Sequence, residues 1–476
     1  MALTMVVCSE KKGNGLIKMS TKTKNRRILF VCPTGDLSSG GEKSNFELIK
    51  YLKKKKYEVF VITAWEGEYN KILNDHGIGN SVGGYKWWAP WDSAKATADK
   101  SIMGLSIVLE TIKYIKPFVV VTNTLNIPWG AVASSMMNVP HVWIGREFPE
   151  GEFDYLDKKI QFINKFSNQI VANSEKLSSR INQKYKLNTK YFYSYVDEKT
   201  ISLGSDNNES RIISLNGINE RKNQAELIKA VGMLSERGLL SVDVLLVGEA
   251  DSKYKAHLEE LIEKFTLGDR VKILPFNSKP WLLAGNNDIL VQTSLSESIG
   301  RTITEAMKLG VPVIASDIAG HQEAIDLGGG ILYKSGDPSD LADKINLALN
   351  DTLKLKNDAL VTKTKAIANM SESACNEPFV KVLESVRGKN NPMNEMGHLE
   401  PYLGCYIRAS KDWLEESVKS SQELIECRAV ISDLSQSVKK LEQENKQIVD
   451  SRAYKIGLFQ SRAIRRIFRI NTKKGM

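Results

Sequence analysis

Two glutamates with a glycine between them are the residues of this sequence that best combine chemical type with spacing. They are Glu297 and Glu305, eight positions apart, with Gly300 between them in the stretch SESIGRTITEAM. A glycine at a helix entrance lets backbone amides approach a ligand closely, and free amides at a helix N-terminus favour an anion such as phosphate. Carboxylates can each accept hydrogen bonds from two hydroxyls. The arrangement therefore fits a phosphate between two hydroxyl-rich rings, which is the layout of a nucleotide sugar.

Short apolar runs on both sides of this stretch predict buried strands. NDILVQTS precedes it, and VPVIAS follows the helix that it starts. Upstream, RIISLNG, VDVLLVGEAD and RVKILPF alternate with helical segments such as ERKNQAELIKAVGML. Strands that alternate with helices predict a parallel sheet covered on both faces.

The same alternation occurs earlier in the chain. From Arg26 the run RRILFVCPTG leads into a glycine pair and a helix with Phe46, Leu48, Ile49 and Leu52 at helical spacing. EVFVIT, PFVVVTN, HVWIG and NQIVANS continue the series of short buried strands. The first half therefore also predicts a doubly wound sheet.

A polar, turn-rich segment, LGSDNNE, separates the two halves and predicts a linker. We therefore predict an α/β fold of two Rossmann-like doubly wound domains, residues 26–202 and 203–388. Ligands of such sheets bind beyond the carboxyl ends of the strands, so two facing sheets would place a site in the cleft between them.

Composition is typical of a globular protein without a membrane-spanning helix. Of 476 residues 42% are hydrophobic and 26% charged, and no run of eighteen apolar residues occurs. The five cysteines are scattered without a CxxC pair, which predicts reduced thiols in a cytoplasmic protein and no zinc site.

The net charge of +10 comes from the two ends of the chain. Residues 1–27 carry seven Lys/Arg against one Glu, and residues 451–476 carry eight against no acid, so the remainder has a net charge of −4. This distribution argues against a nucleic-acid-binding protein. Residues 1–25 are expected to be disordered rather than a secretory signal, because their charges follow the apolar start. Met19 is an alternative start.

The stretch that holds the two glutamates resembles the E-x7-E signature of the retaining glycosyltransferases group 1, family 4. The resemblance runs from about Arg26 to Gly388. SGGEKSNFELIKYL looks like the family's glycine loop and first helix, and NQIVANSEKLSSRI like its "viaNS" strand. INERKNQAELIKA, VGEAD and GGGILYKSGDPSDLADKI resemble later motifs in the same order. The resemblance implies the GT-B fold, with an acceptor domain followed by a nucleotide-sugar donor domain.

The resemblance also implies roles for residues that match the family's motifs. Glu305 would bind the ribose hydroxyls of the donor, and Glu297 would contact its sugar. Lys222, with Arg221 beside it, would neutralise the diphosphate leaving group. The remaining donor-binding positions are the backbone at Ile299 and Gly300, the loop at Gly40 and Gly41, the strand end at Leu274 to Phe276, and His321.

This sequence departs from the family at two places. Asn216 and Gly217 stand where Gly-Arg is common ahead of the lysine, and Arg221 is a candidate replacement for that arginine. Arg146 stands where many members carry a histidine near the reacting centre, and Glu147 after it is a candidate for orienting the acceptor.

The residues themselves leave some alternatives open. His141 fits a packed core histidine. Trp87, Trp88 and Trp91 fit core packing, stacking on a sugar, or a lipid interface. The chain contains no DxD sequence, so we predict a metal-independent enzyme without a cofactor, in which positive side chains and helix amides stabilise the departing diphosphate.

Beyond the resemblance, residues 389–411 predict a linker and 412–450 a coiled-coil-like helix. Its apolar positions recur in heptads with one polar Asn445, a pattern that fits either a homodimer or a single helix packed on the enzyme. The seam consists of Leu424, Cys427, Ile431, Leu434, Val438, Leu441, Asn445 and Ile448. The basic tail, 451–476, fits either an interfacial helix on an anionic membrane or a disordered segment.

The sequence thus predicts a hexosyltransferase that uses a nucleotide diphosphate sugar and a saccharide or lipid-linked acceptor. Its expected place is cell-envelope polysaccharide synthesis, in the cytoplasm or peripherally on the inner face of the membrane. The alternative is a catalytically inactive GT-B scaffold that acts through its coiled coil.

Overall fold

The computed structural model describes residues 24–37, 39–88, 94–149, 151–204 and 210–394, together with residue 443. Side chains at 94–102, 151–153 and 155 are not among those described.

Within these ranges, seven parallel strands form the sheet of the first domain, in the order β3-β2-β1-β4-β5-β6-β7. The strands are β1 (Arg27–Val31), β2 (Glu58–Thr63), β3 (Gly79–Val82), β4 (Val119–Asn123), β5 (His141–Gly145), β6 (Gln169–Ala172) and β7 (Lys190–Tyr191). The helices are α1 (Gly40–Lys54), α2 (Glu68–Asp75), α3 (Ala94–Ile115), α4 (Trp129–Met136), α5 (Ile160–Lys165) and α6 (Glu175–Tyr185), and Gly151–Lys159 is a 3-10 segment.

In the described part of the second domain, six parallel strands are arranged in the order β10-β9-β8-β11-β12-β13. These strands are β8 (Arg211–Leu215), β9 (Asp243–Val247), β10 (Val271–Leu274), β11 (Ile289–Gln292), β12 (Val313–Ser316) and β13 (Ile331–Tyr333). The helices are α7 (Gln224–Glu236), α8 (Ser252–Lys264), α9 (Arg301–Leu309), α10 (Ala319–Leu327), α11 (Pro338–Asn350), α12 (Thr352–Asn369) and α13 (Glu372–Val386). Short 3-10 turns cover Glu198–Thr200, Glu220–Lys222 and Pro280–Leu283.

Central strands are buried on both faces, as their continuous apolar sequences require. Every residue of β4 and of β5 is buried, and so are the last four residues of β1. The prediction of two parallel-sheet, Rossmann-like domains is therefore confirmed, whereas the predicted domain boundaries stay a prediction.

Helix α13 lies within the predicted second domain by chain order, but its apolar face packs in the core of the first. Phe379, Val382, Leu383 and Val386 are buried in the same cluster as β1 and β4. The ring of Phe379 lies 5.0 Å, centroid to centroid, from that of Phe192. The chain therefore crosses from the second domain back to the first near the start of α13, where Cys375 is still buried in the core of the second domain.

Several predicted segments lie outside the described residues. They are the N-terminal residues 1–23, Trp91, residues 395–411 of the predicted linker 389–411, the heptad seam and the basic tail. In the described part of the chain, no helix is long and apolar enough to cross a membrane.

Replacing Phe379 by alanine should destabilise the first domain, although the residue lies within the predicted second domain by chain order. Loss of a fully buried aromatic ring costs about 3–5 kcal/mol of unfolding free energy. Denaturant unfolding, followed by tryptophan fluorescence, measures the loss. Leu353→Ala, at a side chain that is 73% exposed, is the matched control and should change stability by less than about 0.5 kcal/mol. Equal losses for the two variants would contradict the packing assigned to α13.

Candidate active site

The first predicted glutamate, Glu297, lies in the loop between β11 and α9 and is ion-paired with two cations. Lys222 Nζ donates to its Oε1, and Arg221 Nη1 lies 3.0 Å from the same oxygen. The side chains of Glu297 and Lys222 are each only 16% exposed. The structure thus brings together all three residues that the sequence assigned to catalysis.

Backbone hydrogen bonds fix the loop that carries the two cations. The amide of Leu295 donates to the Arg221 carbonyl at 2.8 Å, and the hydroxyl of Thr293 donates to the Lys222 carbonyl at 2.9 Å. Asn219 caps the 3-10 turn that contains both cations by accepting from the Lys222 amide at 3.1 Å. The cations are therefore held at the carboxyl end of β11 by main-chain contacts as well as by charge.

The charge on Glu297 depends on this pairing. Burial would raise the pKa of Glu297, but the positive charges of Lys222 and then Arg221 outweigh it and hold the pKa at about 2. The carboxylate is therefore ionised at neutral pH.

The second predicted glutamate, Glu305, lies in α9 and is held by two donors. The indole Nε1 of Trp281 donates to Oε2 at 2.8 Å, and Arg301 Nε donates to Oε1 at 2.8 Å from one turn earlier in the helix. Glu305 is 9% exposed and Trp281 is 3% exposed. Both carboxylate oxygens keep further lone pairs for a ligand.

Arg301 also connects α9 with the first domain. Its Nη1 lies 3.2 Å from the hydroxyl of Ser44 in α1 and 3.3 Å from the carbonyl oxygen of Tyr195. A Cβ on Gly40 would lie 3.5 Å from Arg301 Cδ, which places the predicted glycine loop directly against this arginine. The glycine loop and Glu305 therefore border one site between the two domains.

Two glycines shape the entrance of α9. Gly300 precedes the helix with φ of +70°, a conformation that side-chain-bearing residues rarely adopt. Gly320 allows a close approach, because a Cβ there would collide with the carbonyl oxygen of Glu297. Ile299 is buried in the core of the second domain, so the predicted contact at this position would be made by its backbone.

His321 lies beside this entrance and is 1% exposed. Its Nδ1 is 3.1 Å from the carbonyl oxygen of Ser316, so a neutral ring that donates there leaves Nε2 as an acceptor. Burial lowers the pKa of His321 to about 4, against the opposing effect of Glu297. A Cβ on Gly300 would lie 3.5 Å from Nε2, so this nitrogen faces the helix entrance.

Arg146 lies at the carboxyl end of β5, beneath the glycine loop. Its Nε donates to Asn123 Oδ1 at 2.7 Å, and Nη1 lies 3.3 Å from the hydroxyl of Ser194. A Cβ on Gly41 would lie 3.4 Å from Arg146 Cδ. Nη2 is buried without a hydrogen-bond partner among the described residues, as is Nδ2 of Asn123. Two donors are therefore available at adjacent strand ends.

Glu147 faces the backbone at the end of β4. The hydroxyl of Thr124 donates to Oε1, while the amides of Leu125 and Arg146 donate to Oε2 at 3.2 Å and 3.1 Å. These contacts are those of a residue that shapes the loop, and the predicted role in orienting an acceptor stays a prediction.

Phe276 lies in a cleft at the ends of β9 and β10. The cleft has a volume of about 540 Å³ and is lined by Gly248, Glu249, Ala250, Lys255, Leu274 and Phe276. The phenyl side chain is 47% exposed, so a planar ligand could stack on it.

Sequence reasoning missed several residues around the site. Arg301 could have been found, because its four-residue spacing from Glu305 puts both on one helix face. Trp281 and Ser44 gave no signal, since their roles depend on contacts distant in sequence. Lys43, in the first turn of α1, was also missed. Burial lowers the pKa of the Lys43 amine, the charge of Glu305 opposes this effect, and the charge of Arg301 adds to it.

The two described tryptophans of the predicted aromatic cluster have structural contacts. Trp87 Nε1 donates to the Pro33 carbonyl at 2.8 Å, and Trp88 Nε1 to the Leu125 carbonyl at 2.8 Å. Trp88 stacks on Trp143 with ring centroids 5.9 Å apart. These contacts favour core packing over the sugar or lipid alternatives. His141 is likewise buried in the sheet, where its Nε2 lies 2.8 Å from Thr122 Oγ1.

Among the described residues, no cluster of three or more His, Cys, Asp and Glu side chains could hold a metal ion. Metal independence of the reaction stays a prediction.

Comparison with known proteins agrees with this geometry. Residues 196–365 match the family described as "Glycosyl transferases group 1". The matched segment contains Lys222, Glu297, Glu305 and His321, which are four of the predicted site residues.

Curated relatives extend the similarity over different lengths. The D-inositol 3-phosphate glycosyltransferase of Paenarthrobacter aurescens is 31% identical over 138 residues, 28% of this chain and 34% of the relative. The sulfoquinovosyl transferase SQD2 of Arabidopsis thaliana is 24% identical over 384 residues, 71% of this chain and 69% of the relative. For the relatives that are more than 30% identical, the match with this chain spans about a third of the relative's length.

A solved structure supports the fold beyond residues 196–365. Anabaena Alr3699/HepE, in complex with UDP and glucose, superposes with a TM-score of 0.64 at 24% identity. The match covers 76% of this chain and 100% of that chain. The paired Rossmann-like domains are thus those of the GT-B fold.

The ion pairs of Glu297 should make stability depend on pH in acid. The pKa of Glu297 is about 2 in the folded chain and about 4.3 in the unfolded chain. The ion pairs therefore stabilise the fold fully above about pH 4.3, and this stabilisation is lost as the pH falls towards 2. At neutral pH the free energy of unfolding of the wild type should therefore be higher than that of Glu297→Gln by up to about 3 kcal/mol. Urea unfolding at several pH values measures this difference, which should shrink between pH 4.5 and 2.5. A difference that is constant with pH would contradict the pairing.

Proposed function

We propose that the protein is a retaining glycosyltransferase that moves a sugar from a nucleotide diphosphate sugar to a saccharide or lipid-linked acceptor. The observation that carries the proposal is the position of Lys222 and Arg221, which are ion-paired with Glu297 beside the N-terminus of α9. Two cations and the free amides of a helix entrance form a site for a diphosphate.

Glu305 supplies the second half of the donor site. Its carboxylate is held in place by Trp281 and Arg301, so it can accept hydrogen bonds from ribose hydroxyls without first being ordered. The cleft at Phe276 would receive the base. HepE binds UDP and glucose, so uridine diphosphate sugars are the first donors to test.

The transfer step needs charge stabilisation more than a protein nucleophile. The bond between the anomeric carbon and the diphosphate oxygen breaks while the acceptor oxygen attacks from the same face. The acceptor proton moves to the departing phosphate oxygen. Lys222, Arg221 and the α9 amides stabilise the negative charge that develops on the diphosphate. Glu297 would face the positive charge that develops on the sugar, and no metal or cofactor is required.

The acceptor site is assigned to the first domain. Arg146 and Asn123 present two buried donors without partners at the ends of β5 and β4, and acceptor oxygens would satisfy them. One relative, 32% identical over 105 residues, is the O-antigen biosynthesis glycosyltransferase WclY of Escherichia coli, which supports our proposal of a role in cell-envelope saccharides. We further propose a peripheral position at the inner membrane face through residues 451–476, and a homodimer through residues 412–450.

Removing Lys222 should slow the transfer step. Lys222→Ala should lower turnover about 10²–10³-fold, as expected for loss of one group that stabilises the transition-state charge. Release of nucleoside diphosphate from a panel of nucleotide sugars, with membrane lipid extract as acceptor, measures the rate. Lys253→Ala, at an exposed lysine of α8, is the matched control and should leave the rate unchanged.

Changing Glu305 should weaken donor binding in the same assay. Glu305→Gln keeps the side-chain volume but loses the charge, so the donor KM should rise about tenfold or more. Glu263→Gln, at an exposed glutamate of α8, is its control. Normal parameters for both Lys222→Ala and Glu305→Gln would refute the assigned site.

The alternative, a catalytically inactive scaffold, can be distinguished from the enzyme by calorimetry with nucleotides. An enzyme that lacks only its acceptor still binds the nucleoside diphosphate, and this binding weakens in Glu305→Gln. A chain that neither releases nor binds a nucleotide from the panel would favour the scaffold.

Arg146 should affect the acceptor rather than the donor. Arg146→Met keeps much of the side-chain volume but removes the donor groups, so the acceptor KM should rise about tenfold while the donor KM changes less than twofold. Initial rates with each substrate varied in turn measure the two constants. A rise confined to the donor KM would assign Arg146 to the donor sugar instead.

A further inference from the structure

Trp65 is an exposed tryptophan on the loop that follows β2, at the carboxyl edge of the first-domain sheet. The residue is 39% exposed, whereas the other tryptophans of the described residues are buried or half-buried. Ligands of parallel sheets bind at this edge, beyond the carboxyl ends of the strands. The indole ring is therefore placed where it can contact a substrate, and it does not fill the core.

Hydrogen bonds hold the indole ring beside a carboxylate from the neighbouring loop. Trp65 Nε1 donates to Asp36 Oδ2 at 3.0 Å, and the hydroxyl of Thr34 donates to the same oxygen at 3.2 Å. The amide of Asp36 donates in turn to Thr34 Oγ1 at 2.9 Å. Asp36 is exposed, and its Oδ1 accepts no hydrogen bond from a described residue. A fixed aromatic face thus lies next to a free carboxylate oxygen.

The loops that carry these two side chains are packed against each other through their backbones. The amide of Tyr69 donates to the Gly35 carbonyl oxygen at 2.8 Å. A Cβ on Gly35 would lie 1.9 Å from the Trp65 carbonyl oxygen, and a Cβ on Gly67 would lie 2.4 Å from the Gly35 carbonyl oxygen. Such close backbone contacts fix the ring before a ligand arrives, which reduces the entropy cost of binding.

We propose that Trp65 and Asp36 form a subsite for a sugar ring of the acceptor, at a distance from the sugar that reacts. The proposal rests on the proposed function, because it names the acceptor of the same reaction. The C–H groups of a sugar carry a slight positive charge and would stack on the negative face of the indole. A ring hydroxyl would donate a hydrogen bond to Asp36 Oδ1.

The charges around Trp65 distinguish a neutral saccharide from other occupants. Residues 33–43 and 64–68 carry four acidic side chains against one lysine, which would repel a lipid phosphate or another anion. The core of a protein–protein interface is depleted in charged residues, whereas exposed Glu66 and Glu68 follow Trp65 directly and Asp36 is bonded to it. A sugar ring, with an apolar face and hydroxyls at its edge, matches both the indole and the carboxylates.

The position of Trp65 also sets the length of the acceptor. Trp65 follows β2 and Arg146 follows β5, and the intervening order β2-β1-β4-β5 places them three strand spacings apart, about 14 Å. This distance exceeds one sugar ring and is within reach of a short oligosaccharide. An acceptor held at its reacting end by Arg146 and Asn123 must therefore contain several sugar units to reach Trp65. The substrate class is an oligosaccharide, free or lipid-linked.

Acceptor kinetics test the subsite. With the acceptor that supports release of nucleoside diphosphate, Trp65→Ala should raise the acceptor KM at least about fivefold and leave the donor KM unchanged. Trp65→Phe keeps an aromatic face and should restore most of the affinity. With a synthetic acceptor of a single sugar unit, Trp65→Ala and wild type should have the same KM, which a general loss of structure would not produce.

Binding of saccharides without transfer is a second measurement. The full-length chain is applied, with UDP, to an array of immobilised neutral oligosaccharides that range from a single sugar to a hexasaccharide. Trp65→Ala and Asp36→Asn should both retain less oligosaccharide than wild type. Tyr114→Ala is the matched control, because Tyr114 is 64% exposed and precedes β4, at the opposite edge of the sheet.

The outcomes separate this proposal from the proposed function. Transfer with an acceptor KM that Trp65→Ala does not change would overturn the subsite and leave the glycosyltransferase intact. Binding that depends on Trp65, without transfer from any donor, would support the subsite and count against the enzyme. An array on which wild type binds no saccharide, or binds no better than Trp65→Ala, would also overturn the subsite.

Discussion

The site depends on the requirement that charges buried between two domains must be paired. Helix α9 carries Arg301, Glu305 and Lys308 on the side that meets the first domain. Arg301 bonds Glu305, Ser44 and the Tyr195 carbonyl, while Lys308, 2% exposed, bonds the Val196 carbonyl at 2.8 Å. An unpaired buried charge costs several kcal/mol, so these contacts specify how the helix meets the first domain. The position of Glu305 is a consequence of that geometry.

The fold could be predicted because the sequence patterns that indicate its strands and helices each lie within a short segment of the chain. The apolar runs around β1, β4, β8 and β11 are short and continuous, and the helical segments between them have a clear period. Strands β3, β7 and β13 were not predicted. They have two to four residues each, and β3 and β7 are partly or fully exposed at the sheet edge. Strands as short as these have too few residues for an apolar pattern to be detected, and β3 and β7 have no buried residue to produce one.

The candidate site was predictable where motif residues lie together in sequence, and less so where contacts cross the domains. Glu297, Glu305 and Gly300 came from one stretch, and Lys222 from a resemblance. Asn173, whose amide donates to Ser298 Oγ at 2.9 Å, could not be found, because nothing in the sequence relates positions 125 residues apart. The same holds for Glu323, which accepts from the amides of Glu175 and Lys176 at the start of α6.

The return of α13 to the first domain has a topological consequence. The polypeptide passes between the domains twice, once between β7 and β8 and once near the start of α13, so the second domain is an insertion in the first. Two covalent connections restrict relative motion more than one would, because rotation about a single linker is no longer free. A fragment that starts at the linker would keep α13 but lose the core that buries it, so the two halves cannot be isolated by one cut.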